Sequence, residues 1–98
     1  MVKVGLFVLL RAKAGKEAAV EQLLKGGLAI VQEEAGTPLW FALRLDASTF
    51  GIFDAFADEN ARQAHLAGRL AAALMAKAGE LLAEPPKIDR VDILAEKS

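Results

Sequence analysis

The chain has no cysteine and no tyrosine, and only one histidine, one tryptophan and three prolines among its 98 residues. Without cysteine, disulfides, thiolate nucleophiles, thiolate zinc sites and iron–sulfur clusters are excluded. A single histidine excludes a multi-histidine metal site within one chain. Without tyrosine, any chemistry that needs a phenol side chain is excluded. A surplus of one charge is also missing, since 12 basic and 13 acidic residues leave a net charge of −1. Phosphate contacts need a basic surplus, so nucleic acid is not an expected partner. No apolar stretch approaches the ~20 residues of a membrane span, so no membrane is expected either. The opening segment imitates a secretory signal only loosely. Its apolar run, Gly5 to Leu10, is short, and Arg11 and Lys13 stand where a cleavage region is neutral. We read it as a strand and expect a cytoplasmic protein.

Apolar residues are plentiful. They make up 54% of the chain before its eight glycines are counted. Globular domains reach roughly 45–50% with glycine included. The length predicts a single domain, residues 1–98. A domain this small hides only a little over ~60% of the surface its unfolded chain exposes. The apolar excess therefore predicts burial against a second copy, in a homodimer.

The pattern predicts seven elements. Val2 to Arg11 reads as a strand with apolar residues on both faces. After a turn at Ala14-Gly15-Lys16, a helix is expected from Lys16 to Glu34, with Val20, Leu23, Leu24, Gly27, Leu28 and Val31 at helical spacing. Gly36 and Pro38 stop it. Leu39 to Leu45 and Phe50 to Ala57 read as strands of a hairpin. With Ala47-Ser48 as the loop, or a four-residue loop of Asp46 to Thr49, Leu45 pairs with Phe50, Leu43 with Ile52, Phe41 with Asp54 and Leu39 with Phe56. One face then carries Leu39, Phe41, Leu43, Leu45, Phe50, Ile52, Phe56 and Asp54. The other carries Trp40, Ala42, Arg44, Gly51, Phe53 and Ala55. A three-residue loop would exchange the faces. Asp58 is a good N-cap for a helix from Glu59 to Leu66. Gly68 marks a bend before a second helical segment, Arg69 to Leu82. Pro85-Pro86 ends it, and Ile88 to Ala95 reads as an edge strand punctuated by charge.

The order is β-α-β-β-α-β, the ferredoxin-like split pattern, with both helical regions on one face of a four-stranded antiparallel sheet. Strands apolar on both faces do not suit a sheet with one wet face. Two sheets stacked about a two-fold axis, a dimeric α+β barrel, would cover both.

Five segments carry a resemblance: A-K-A-G-K-E (Ala12 to Glu17), E-E-A-G-T-P-L-W-F-A-L-R (Glu33 to Arg44), S-T-F-G-I-F-D-A-F-A-D-E (Ser48 to Glu59), R-Q-A-H-L (Arg62 to Leu66) and L-L-A-E-P-P-K-I-D-R-V-D-I-L-A (Leu81 to Ala95). Through them the chain resembles the antibiotic biosynthesis monooxygenase domain, a dimeric α+β barrel family. The resemblance implies oxidation of phenolic polyketides or quinols by dioxygen with no flavin, metal or haem, so no cofactor is expected. Relatives degrade haem, and others isomerise or bind small metabolites. The haem-degrading group has an Asn on the first strand, absent here. The position matching its helical Trp is His65, so a haem role is not expected.

Oxygenation without a cofactor needs an oxidisable substrate, an apolar cavity, one base, and a donor or cation for the developing charge. Asp54 is the most informative candidate base. A carboxylate on an apolar strand face is removed from water, which favours its neutral form. The alternative is a structural acid tied to Arg69, Lys77 or a backbone amide, or a dimer contact. His65 is the only side chain whose ordinary pKa lies near neutrality. It is read as a base or donor at a cavity mouth, or as a partly exposed helix histidine. Arg69 follows at i+4 and shares its face. Arg44 would stabilise an anion, or bridge to Asp46 or to an acid of a partner subunit. Trp40, Phe53 and Phe56 would wall a flat aromatic substrate, or simply form core or interface. The expectation is therefore a dimeric oxygenase with Asp54 and His65 as acid–base groups and a small aromatic or quinol-like substrate. The alternatives are a non-enzymatic, small-ligand-binding or stress-related barrel, and a dimer whose cavity is filled by its own side chains.

Overall fold

Gly15 has a φ of +85°, a conformation that costs glycine little and other residues much. It turns the chain between the first strand and the first helix. The computed structural model describes residues 1–97. The elements are β1 (Val4–Arg11), α1 (Glu17–Val31), β2 (Leu39–Asp46), β3 (Thr49–Phe56), α2 (Glu59–Leu66), α3 (Arg69–Leu81) and β4 (Lys87–Asp92). They form an α+β fold with one antiparallel sheet in the order β2-β3-β1-β4. This is the expected ferredoxin-like arrangement, and no described helix is long and apolar enough to cross a membrane.

One face of the sheet carries the helices. Val20 and Leu24 of α1 and Leu81 at the end of α3 pack on Val8, Leu10, Phe50 and Ile52, with Trp40 and Leu74 against them. α2 starts at Asp58, whose side chain accepts a hydrogen bond from the Ala61 backbone at 2.9 Å.

Three boundaries differ from expectation by two residues or more, and several others by one. β1 begins at Val4 rather than Val2, and β4 covers Lys87–Asp92 rather than Ile88 to Ala95. α1 ends at Val31 rather than Glu34, because the amides of Glu33 and Glu34 bond to Ile30 and Val31 at 3.2 and 2.9 Å in tighter turns. That frees Glu34 from the helix.

The hairpin register is also corrected. Asp46 pairs with Thr49, so Ala47-Ser48 is the loop, but Leu45 has no partner and Arg44 pairs with Phe50. This extra residue is a β-bulge, and it slips β2 by one position. The pairs are Arg44 with Phe50, Ala42 with Ile52, Trp40 with Asp54 and Leu39 with Ala55. Since side chains alternate at period two, every β2 side chain changes face. Trp40, Ala42 and Arg44 share the helix-covered side with Phe50, Ile52 and Asp54. The other side shows Leu39, Phe41, Leu43 and Leu45, each 38–49% exposed.

Candidate active site

Asp54 lies mid-β3, between Leu6 of β1 and Trp40 of β2, and is 1% exposed. A carboxylate so placed needs a partner. The partner comes from α2, whose inward face carries Arg62 and His65, three residues apart and both 7% exposed. The Arg62 guanidinium donates to the backbone carbonyls of Gly5 and Val91 at 3.1 and 3.3 Å and pairs with Glu59. Its hydrogen bond, and then that of Gln63, hold the Glu59 carboxyl down at about 2. Arg62 thus fastens α2 across β1 and β4, and the next turn sets His65 over Asp54.

His65 bridges two acids. Its Nε2 lies 2.9 Å from Asp54 Oδ2, and its Nδ1 lies 2.6 Å from Glu34 Oε1. The Thr37 hydroxyl donates to the same Glu34 oxygen at 2.9 Å. With a carboxyl oxygen within hydrogen-bond reach of each ring nitrogen, the surroundings favour the doubly protonated, cationic ring. Burial works against that charge, but the hydrogen bonds and charges of Asp54 and Glu34 outweigh it and raise the His65 pKa above its ordinary value. Phe56 covers the ring, 5.2 Å between centroids. Two oxygens remain buried without a partner, Asp54 Oδ1 and Glu34 Oε2. Gly68 leaves room for the latter, since a Cβ there would sit 3.2 Å from it.

Two hollows flank the ring. An inner apolar cavity of about 120 Å³ lies between the sheet and α3, and its only polar lining residues are Asp54 and His65. An outer cleft of about 390 Å³ adjoins the opposite edge, lined by Glu33, Glu34, Thr37 and Arg69 among others. The arrangement provides a buried carboxyl oxygen without a hydrogen-bond partner, on a residue that lines an apolar cavity and is held by His65. Among the described residues no group of three or more His, Asp or Glu side chains is placed to hold a metal ion. Asp54 and Glu34 occupy opposite ring nitrogens of His65 and share no common point with it.

The structure brings Asp54, His65 and Phe56 together and places Arg69 on the outer cleft, 3.6 Å from Glu33. Asp54 is tied to His65 rather than to Arg69, Lys77 or a backbone amide, and His65 is buried rather than partly exposed. Arg44 stands apart. It pairs with Glu21 of α1, not Asp46, and lies over Phe50, 5.6 Å from its ring centre. Phe53 is on the open face of the sheet, paired with Phe41. Trp40 packs on the core and lines neither hollow. Glu34 and Thr37 escaped the sequence reading. A helix-ending acid before Gly-Thr-Pro reads as a surface residue, and nothing local says that it reaches a histidine 31 positions away.

No family model matches the chain, and no curated protein does. Solved structures do. The NE2512 protein of unknown function from Nitrosomonas europaea is 55% identical over 100% of this chain and 95% of its own, with a TM-score of 0.97. A second Nitrosomonas europaea protein, called a "putative antibiotic biosynthesis monooxygenase", superposes with a TM-score of 0.85 at 17% identity over 98% of this chain and 94% of its own. A Caulobacter crescentus protein of the same description gives 0.82 at 21% identity over 96% and 92%. The last two share the fold. The chain therefore belongs to the family of NE2512, built on the antibiotic biosynthesis monooxygenase-like fold.

Proposed function

We propose that the protein oxygenates a phenol or quinol with dioxygen, in the inner cavity, with no bound cofactor. One observation carries this reading. Asp54 is buried at the wall of an apolar cavity, with Oδ2 held by His65 and Oδ1 without a partner. The description of the two fold neighbours as monooxygenases points the same way.

Asp54 Oδ1 accepts the substrate hydroxyl proton. The electron-rich anion forms a C–O bond to dioxygen, which takes two electrons from the ring. Asp54 returns its proton to the resulting peroxide. The O–O bond then breaks, the ring carbon loses its hydrogen as a proton, water leaves, and a C=O remains. His65 holds Asp54 Oδ2 and so keeps the carboxyl oriented throughout. Glu34 and Thr37 are positioning residues, because they act through His65. Arg69 borders the outer cleft and Arg44 lies with Glu21, so the cation beside the reacting atoms is His65.

The reading includes a homodimer joined through the open sheet face, where Leu39, Phe41, Leu43 and Leu45 lie uncovered. The test of the chemistry is oxygen uptake with hydroquinone and substituted phenols. Asp54→Asn removes the proton acceptor and keeps an oxygen for the His65 contact, so turnover falls at least ~100-fold. No uptake with any of these compounds, or undiminished turnover in the variant, sinks the proposal. Binding without uptake leaves a ligand-binding protein.

A further inference from the structure

We propose that the site selects single-ring phenols and hydroquinones and rejects fused two- and three-ring compounds. This rests on the inner cavity being the substrate site. That cavity measures about 120 Å³. An aliphatic cavity of about 150 Å³ is enough to hold benzene, while pockets for drug-sized ligands run to roughly 300–1,000 Å³. A space of about 120 Å³ is on the scale of that one-ring cavity, and a fused pair exceeds it.

The walls fix this limit. Leu6, Val8 and Ile52 form the sheet side and Leu70 part of the helix side, and each is 8% exposed or less. They belong to the close-packed interior, where added volume forces side chains off their rotamers. The mouth is different. Met75 and Ile88 line it and are 57% and 47% exposed. The polarity is one-ended too. Among the side chains of the lining residues, Asp54 carries the one buried oxygen without a partner, and at 1% exposed, against 57% for Met75, it lies at the inner end. The ring enters with one hydroxyl toward Asp54, and a group para to it reaches the mouth beside Met75. The outer cleft is larger and carries Glu33 and Glu34 beside Arg69 and His65, so it lacks the one-ended polarity of the inner cavity.

The experiment is an oxygen-free titration of the whole protein with hydroquinone, 1,4-dihydroxynaphthalene and anthrone. It is followed by NMR of the His65 ring, the only imidazole in the chain. Hydrophobicity alone makes the larger compounds bind more tightly, so the proposal predicts the opposite order. Hydroquinone shifts the His65 signals and binds at least about tenfold more tightly than dihydroxynaphthalene. Met75→Ala widens the mouth and narrows that preference. Equal or tighter binding of either fused compound with shifts at His65, or no shift with any compound, overturns the proposal. Oxygen uptake, assayed separately, tests the other reading. Selective binding of hydroquinone without uptake removes the oxygenase and leaves the size selection standing.

Discussion

Glu34→Gln isolates the charge on the outer side of His65 while keeping the shape and the acceptor oxygen. At a pH where His65 is an imidazolium, the wild-type contact is a hydrogen bond between two charged groups at 2.6 Å, with the side chains 7% and 20% exposed. Hydrogen bonds to charged groups contribute about 1.5–3 kcal/mol and neutral ones about 0.5–1.5. The substitution therefore costs about 1 kcal/mol near pH 6, or roughly 4–8 °C in Tm for a domain of this length. The sign reverses with pH. The His65 pKa is raised by folding, so its stabilising contribution is complete below the unfolded value of about 6.5. It is lost as the pH rises through the higher folded value. Beyond that, one ring nitrogen of a neutral His65 turns a lone pair toward a carboxylate. The glutamine amide donates to such a nitrogen, so the variant recovers or surpasses the wild type once the pH exceeds that folded value. Thermal unfolding followed by Trp40, the only tryptophan, measures this at fixed protein concentration. A stability gap that does not change with pH would refute the imidazolium between two acids.

Two further perturbations test the packing and the proposed dimer. Alanine at Gly5 would set its Cβ 2.7 Å from the Asp54 carbonyl oxygen, whereas at Gly26 it meets nothing within 4 Å. Denaturant unfolding should show Gly5→Ala destabilising by about 1–3 kcal/mol, as backbone cannot yield, and Gly26→Ala stabilising by about 0.5–1 kcal/mol inside α1. Phe41 is 49% exposed on the open sheet face. Phe41→Asp should convert a sedimenting dimer to monomer with its circular dichroism unchanged, and a wild type that already sediments as a monomer ends the dimer proposal.

The sequence by itself determined the element order, because helical and strand periodicities and the stops at Gly36, Gly68 and Pro85-Pro86 are local properties. It singled out Asp54 as a carboxylate out of place and His65 as the one group titrating near neutrality. The tertiary structure decided what they do. The bulge at Leu45 slipped β2 by one residue, and a period-two element then exchanges its faces completely. That moved Trp40 and Arg44 to the helix side and left four large apolar side chains on the other. No composition or spacing encodes such a slip, since one extra backbone residue leaves the pattern of β2 intact. The union of Asp54, His65 and Glu34 was equally beyond local reading. It depends on Arg62 fastening α2 to the carbonyls of Gly5 and Val91, and on α1 ending early enough to free Glu34. Contacts between residues tens of positions apart arise from packing, and packing is a property of the whole chain.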